Sequence, residues 1–428
     1  MTSHRRYIPM HVAVIGAGIV GAATALELVD QGHRVSIIEP EQPGGRHAAS
    51  YGNSGWLSPA SIIPMSMPGL WKKVPGFLAD PTGPLAIRWT HLASLAPWLV
   101  RFVTAGSTAT KVECTARILS GLLHDAPARH AALAEKIGRP ELIRRNGLIY
   151  AYPDRAAFEA EAFAWRVRRD NGVAFRELSA AQLHALEPEL SDRYTFAALV
   201  EHGGHVVDPG GYVAAIVEQA VRLGAERLKA KAAAFQVANG RLEGVVTETG
   251  LISCDRAVIA AGVHSKALAQ AAGDRVPLQS ERGYHVVIPS DILTGTMPVM
   301  PGDGKMGNNP TVAGLRIAGQ VELASVDAKP DWRRADILLR HAGKTYTALA
   351  DGTGGKEIDR WMGHRPSVAD GLPVIGPARL STDIIHAFGH GHIGMATGPV
   401  TALIVADLIA GRQFMPEIAS LSASRFRT

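Results

Sequence analysis

The chain has 428 residues, 46% hydrophobic and 19% charged, a length and balance that suit two soluble domains with sizeable cores. Its net charge of +5 is spread without a polybasic run, which speaks against nucleic-acid binding and leaves a mild preference for anionic small molecules or an anionic membrane surface. Cys114 and Cys254 stand far apart with no C-x-x-C pattern, which argues against structural zinc and disulfide stapling and fits a reducing cytoplasm.

Arg5-Arg6 precedes an apolar run, but that run reads as a buried strand rather than a signal segment. It is His11-Val-Ala-Val-Ile, followed by a G-x-G-x-x-G turn at Gly16, Gly18 and Gly21 and an amphipathic helix. Val35-Ser-Ile-Ile-Glu39 then forms a second strand ending in an acid. Gly16 permits a tight turn, Gly18 lets the backbone approach a pyrophosphate, and Gly21 allows close helix–strand packing. Ile19 and Val20 begin the helix, whose free N–H groups and positive dipole end face the phosphates. Glu39, about 20 residues on, is placed to accept hydrogen bonds from a ribose diol. The unit predicts a bound dinucleotide, FAD or NAD(P). A second motif of this quality is absent, which disfavours a reductase pairing FAD with NAD(P)H.

Residues 45–70, rich in Gly, Ser, Ala and Pro, predict an extended loop near a ligand. The apolar stretch 64–104 carries Trp71, Phe77, Trp89, Trp98 and Phe102. It reads as helices covering an active site, or as a peripheral membrane contact because Lys72, Lys73, Arg88 and Arg101 lie among the aromatics. Helices are expected at 112–137, 154–172, 178–188 and 212–223, and short strands at 227–237, 241–249 and 257–261. Strands at 282–289 and 314–325 predict an antiparallel sheet. A strand at 383–388, a Gly/His loop and a helix from about Pro399 close the chain. No stretch of about 18 apolar residues is present to span a membrane.

Five further blocks follow the fingerprint in order: Ala48-Ala-Ser-Tyr-Gly-Asn-Ser-Gly-Trp-Leu-Ser-Pro59, Ala257-Val-Ile-Ala-Ala-Gly-Val263, Glu281-Arg-Gly-Tyr-His-Val286, Gly363-His-Arg-Pro-Ser-Val-Ala-Asp-Gly-Leu-Pro-Val-Ile-Gly376 and Gly389-His-Gly-His-Ile-Gly394. The ordered set resembles the D-amino acid oxidase family of flavoproteins, and within it the D-amino acid dehydrogenases. The resemblance spans nearly the whole chain and favours non-covalent FAD over NAD. It implies an α/β protein: a discontinuous Rossmann-like FAD-binding domain (1–62, 195–280, 358–428) and an α+β substrate domain with an antiparallel sheet (63–194, 281–357).

The resemblance also assigns roles. Ser50, Asn53, Ser54 and Gly55 lie along the FAD, and Ala261 and Gly262 end a strand against it. Gly391, His392, Ile393, Gly394 and Met395 stabilise negative charge on the reduced flavin, mostly through main-chain N–H groups of a helix start. Metal ligation by His390 and His392 is disfavoured, because no Cys or carboxylate accompanies them. Arg365, in a G-x-R-P motif, takes the substrate carboxylate as a planar fork, or else pairs structurally with Asp370. Tyr284 and His285 face the substrate near the flavin. Trp56 and Met395 shape a side-chain pocket or belong to the core, and Arg282 is structural or a second carboxylate contact.

The implied reaction is oxidation of a D-α-amino acid by hydride transfer from Cα to flavin N5, with electrons passing to a quinone or other carrier. No catalytic side chain is required, because the flavin performs the redox step. The alternatives are oxidation of a secondary amine (cis-4-hydroxy-D-proline, D-proline or sarcosine) and an electron-transfer subunit without its own substrate. A cytoplasmic location, including the inner face of the plasma membrane, goes with these readings.

Overall fold

The structure, a computed structural model, describes residues 9–80, 82–412 and 418–427. Arg5-Arg6 and the side chains of Lys73 and Phe77 lie outside the described residues. Strand His11–Ile15 pairs in parallel with Arg34–Ile38 on one side and Arg256–Ile259 on the other. Glu226–Leu228, Ile384–Phe388 and the antiparallel Val374–Pro377 complete a six-stranded sheet. Successive residues of the central strand enter different cores. Val12 and Val14 pack towards helices Ile19–Asp30, Pro209–Arg222 and Gly394–Ile409, whereas Ala13 and Ile15 pack towards helix Ser265–Ala271 and the meander Ala232–Ser253. Burial on both faces explains the nearly continuous apolar run, each buried Val or Ile being worth about 1.5–3 kcal/mol.

The glycine turn has the geometry its sequence demands. Gly16 has φ +103°, and a Cβ there would stand 2.5 Å from the Ala260 carbonyl oxygen. A Cβ on Gly21 would stand 1.9 Å from the Gly16 carbonyl oxygen. Helix Pro209–Arg222 starts as its sequence suggests: Asp208 caps it by accepting the Gly211 N–H at 2.9 Å, behind a proline at N1. Helix Ala180–Leu186 opens with a reciprocal capping box between Ser179 and Gln182.

The second domain is built on a nine-stranded sheet that includes Leu278–Pro289, Gly314–Leu323 and Asp359–Val368. Strands Phe196–Val200 and Asp359–Val368 both belong to this sheet. The breaks expected at 194 and 357 fall just before these two strands. The segment 64–104 folds as helix Leu70–Ala79, strand Leu85–Ile87 and helix Leu92–Ala105. Among the described residues no helix is long and apolar enough to cross a membrane.

The C-terminal helix begins at Gly394, not near Pro399, which lies inside it. Proline cannot donate to the carbonyl four residues back, that of Met395. His130 Nε2 serves that carbonyl instead, at 2.9 Å. Gly398 meets the start of the opening helix, where a Cβ would stand 2.7 Å from the Ile19 side chain. The two helix N-termini are thereby brought close together.

Candidate active site

Four loops leave the carboxyl ends of neighbouring parallel strands: Gly16–Gly18, Glu39 onwards, Ala260–Gly262 and Gly389–Ile393. Ligands bind at this edge of open α/β sheets. The first helix turn is closed from outside by Ser50, whose Oγ accepts the Ile19 N–H at 3.0 Å. Ile19 and Val20 are buried; the Ile19 N–H is taken by Ser50, which leaves the Val20 main chain to serve a phosphate. Glu39 accepts the Ala17 N–H at 2.8 Å and the Glu41 N–H at 3.1 Å. A carboxylate offers about four lone-pair sites, which leaves capacity for ribose hydroxyls. Gly262, at φ +56°, faces open space. These features fit a dinucleotide.

The loop 50–55 is clamped against the large sheet through its carbonyls. Arg316 Nη1 donates to the Tyr51 and Asn53 carbonyls at 2.9 and 2.8 Å, and His285 Nδ1 donates to Gly52 at 3.1 Å. The His285 ring stacks on Trp361 with centroids 5.0 Å apart, and a Cβ on Gly52 would strike that indole. Asn53 Oδ1 accepts the Gly55 N–H at 2.8 Å, closing a local turn that holds Ser54. Trp56 is buried edge-on to Tyr150 with centroids 5.7 Å apart, and its indole N–H has no hydrogen-bond partner.

Arg365 stands opposite Glu281 in the antiparallel pair, on the sheet face that also carries Gly283 and His285. Its guanidinium lies over Gly283, where a Cβ would come within 2.3 Å. Gln320 adopts a left-handed φ of +59° at an irregularity in the adjacent strand. Nη1 of Arg365 donates to the Gln320 carbonyl at 2.9 Å and Nη2 to the Gly319 carbonyl at 3.3 Å. The alternative pairing with Asp370 is not formed: Asp370 bonds Arg425 at 2.7 Å. Desolvation lowers the Arg365 pKa, against the pull of Glu281.

Tyr284 is not brought to this face. Its hydroxyl donates to Glu322 at 2.5 Å and accepts the Asp331 N–H at 2.9 Å, in the core behind the sheet. Neighbouring strand residues point to opposite faces, so Tyr284 and His285 do not share one site. His285 faces the loop and is buried; desolvation lowers its pKa to about 3, keeping the imidazole neutral. Arg282 is buried against Glu322 at 3.2 Å, a structural position.

The C-terminal loop is set by Gly391 N–H donating to the Pro366 carbonyl at 2.9 Å. Helix Gly394–Ile409 has no side-chain cap at Ile393, so its first N–H groups, at Gly394 and Met395, remain for an anion. Met395 is itself buried in the core. His390 Nε2 lies 3.0 Å from Thr401 Oγ1. Desolvation and then the Arg365 charge lower His392 to about 4. Sequence reasoning missed Arg316, Trp361, Gln320 and Glu281. Of these, Glu281 had a signal, since it stands within the block containing Tyr284.

A Rossmann-type nucleotide domain whose strand ends face a sheet bearing a clamped arginine defines a dinucleotide-dependent oxidoreductase. Residues 11–408 match the FAD dependent oxidoreductase family, and the chain belongs to it. The chain is 48% identical to a D-amino-acid oxidase of Bradyrhizobium diazoefficiens over 97% of this chain and 99% of that one. It is 29% identical to a D-amino acid dehydrogenase of Paramagnetospirillum magneticum over 97% and 99% of the two chains. Its fold matches the crystal structure of glycine oxidase from Geobacillus kaustophilus with a TM-score of 0.76, at 21% identity over 98% of this chain and 99% of that one. The protein is an FAD-dependent oxidoreductase.

Proposed function

We propose that this protein oxidises D-α-amino acids at the Cα–N bond, passing the electrons to a quinone or similar carrier. The observation that carries the reading is Arg365: a guanidinium held by two backbone carbonyls over Gly283, on the sheet face that meets the cofactor loops. A permanently charged planar fork is the group that an α-carboxylate selects. FAD, when bound, accepts the hydride that leaves Cα. The protein's contribution is to hold the substrate and shape the charge around it.

The D stereochemistry comes from the names of the Bradyrhizobium and Paramagnetospirillum relatives. Tyr284 is turned to Glu322 and His285 to Gly52, so neither is held out towards a ring hydroxyl, which weighs against the hydroxyproline alternative. A half-buried carboxylate clamp also favours a substrate of the protein's own over a pure electron-transfer subunit.

The carrier reading draws on the segment 64–104. It holds one acid, Asp80, against Lys72, Lys73, Arg88 and Arg101. Trp71 and Trp89 are 61% and 70% exposed. Aromatics interleaved with cations suit the interface of an anionic membrane, where a quinone would be met. The test is product analysis: purified holoprotein given D-alanine and a soluble quinone should release 2-oxo acid and ammonia in equal amounts. Turnover with oxygen alone and none with quinone would replace the dehydrogenase reading with an oxidase one.

A further inference from the structure

We propose that Glu281 receives the substrate's ammonium group and takes one of its protons, so that Glu281 and Arg365 together recognise an amino acid as a zwitterion. The proposal rests on the reading of the protein as an amino acid oxidoreductase, and it gives the site a proton acceptor that the family resemblance does not.

Glu281 and Arg365 are directly opposed in the strand pair Leu278–Pro289 and Asp359–Val368. Their side chains share one face, and residues so placed have Cβ atoms about 4.5–5.5 Å apart. A free α-amino acid carries a carboxylate and an ammonium on one carbon. A guanidinium beside a carboxyl on one sheet face presents the complementary pair of groups.

Glu281 is only 6% exposed, and Ser367 Oγ donates to its Oε2 at 2.7 Å. That bond orients the carboxyl beneath the loop Gly389–Ile393. A cavity of about 30 Å³ reaches Glu281 and Ser367 between Met65, Phe102 and Gly391. This is room for roughly one or two waters, giving a proton a way out.

The charged and titratable groups around it are compatible with the role. Arg365 faces it from the partner strand, and His390 and His392 line the same cavity from the loop. Desolvation lowers the buried His390 to about 3, and the Arg365 charge pulls the exposed His392 in the same direction. Asp370 also lines the cavity but is paired with Arg425 at 2.7 Å. Burial raises the Glu281 carboxyl on balance, with Ser367 and Arg365 opposing it only in part, as suits a group that takes up a proton.

The step balances simply. An ammonium N–H proton moves to a Glu281 carboxylate oxygen, and the bonding pair stays on nitrogen as a lone pair. That lone pair assists loss of hydride from Cα, and the proton later leaves through the cavity to solvent.

The test uses the FAD-loaded protein and the variants Glu281→Gln and Glu281→Asp. Propionate, a carboxylate without an amine, is titrated against the flavin spectrum without turnover. Removing the anion beside Arg365 should tighten propionate binding about tenfold in Glu281→Gln. Anaerobic reduction by D-alanine should slow about 10²-fold at neutral pH in that variant and recover with rising pH as free amine appears, while the wild type is flat. Glu281→Asp should keep the wild-type profile at a lower rate, and it carries the test if the Gln variant loses flavin. Unchanged propionate affinity with an unchanged pH profile would overturn the proposal. Failure of the underlying reading looks different: the wild type itself would not be reduced by D-amino acids, while the propionate comparison would still report on Glu281.

Discussion

His130 Nε2 lies 2.9 Å from the Met395 carbonyl oxygen, the acceptor that Pro399 leaves without an N–H. The imidazole also meets the Tyr212 hydroxyl through Nδ1 at 3.1 Å. Its burial lowers the pKa to about 4, so it stays neutral and donates to Met395 throughout the physiological range. The helix Gly394–Ile409, which follows the loop Gly389–Ile393, is thereby braced by a residue from the other side of the sequence.

His130→Phe should strand the Met395 carbonyl and cost about 1–3 kcal/mol of stability, with weaker FAD retention. Pro399→Ala restores the missing N–H. In the His130→Phe background it should recover part of the loss, giving a non-additive double-mutant cycle. Strict additivity in urea unfolding would contradict the bracing role.

Gly21→Ala puts a methyl 1.9 Å from the Gly16 carbonyl oxygen. The glycine turn must open, at a cost of about 1–3 kcal/mol. The purified variant should carry little flavin, read as visible absorbance per mole of protein, with a lowered Tm. Full flavin content would show that the turn is not fixed by this packing.

Arg365→Lys keeps the charge but loses the fork. If Arg365 binds the substrate carboxylate, kcat/KM for a D-amino acid should fall on the order of 10²-fold, mainly through KM. FAD content should be unchanged. A loss confined to flavin binding would reassign Arg365 to the cofactor.

Much of this was legible in the sequence because it is local. The opening strand, turn and helix follow from alternation, glycine placement and the acid at Glu39. The placement of Tyr284 and His285 was half legible: adjacent strand residues must point apart, but only pairing shows that His285 takes the side of the loop 50–55. The left-handed Gln320 that aims two carbonyls at Arg365 has no sequence signature, because glycine or asparagine is the usual marker of that conformation. The start of the last helix was misplaced because Pro399 reads as a first-turn proline, while the His130 that tolerates it inside the helix lies 265 residues from Met395, whose carbonyl it serves.

The nucleotide domain carries its own acid sensitivity. Burial works to raise the Asp274 carboxyl, but His386, the Arg379 N–H and Arg427 together lower it to about 2, from an ordinary 3.8. A depressed acid stabilises the fold at pH above its unfolded value, and that contribution is lost as pH falls from about 4 towards 2. Asp274→Asn should therefore lower stability at neutral pH by about 2 kcal/mol. The gap to wild type should narrow in acid. A constant gap across that window would rule out the linkage.

Membrane contact through the 64–104 segment predicts co-sedimentation with anionic vesicles that weakens with salt. Exchanging Trp71 and Trp89 together for Ser should reduce it on the order of tenfold, without altering activity towards a soluble acceptor. Equal binding to neutral vesicles, or no effect of the exchange, would remove the segment as a docking surface.

The most direct test of the central claim is anaerobic bleaching of the bound flavin by matched D- and L-amino acids, with D-proline, cis-4-hydroxy-D-proline, sarcosine and glycine alongside. The account predicts rapid bleaching by primary D-amino acids and none by their L-isomers. Bleaching by sarcosine or an L-isomer, with the D-isomers inert, would contradict it.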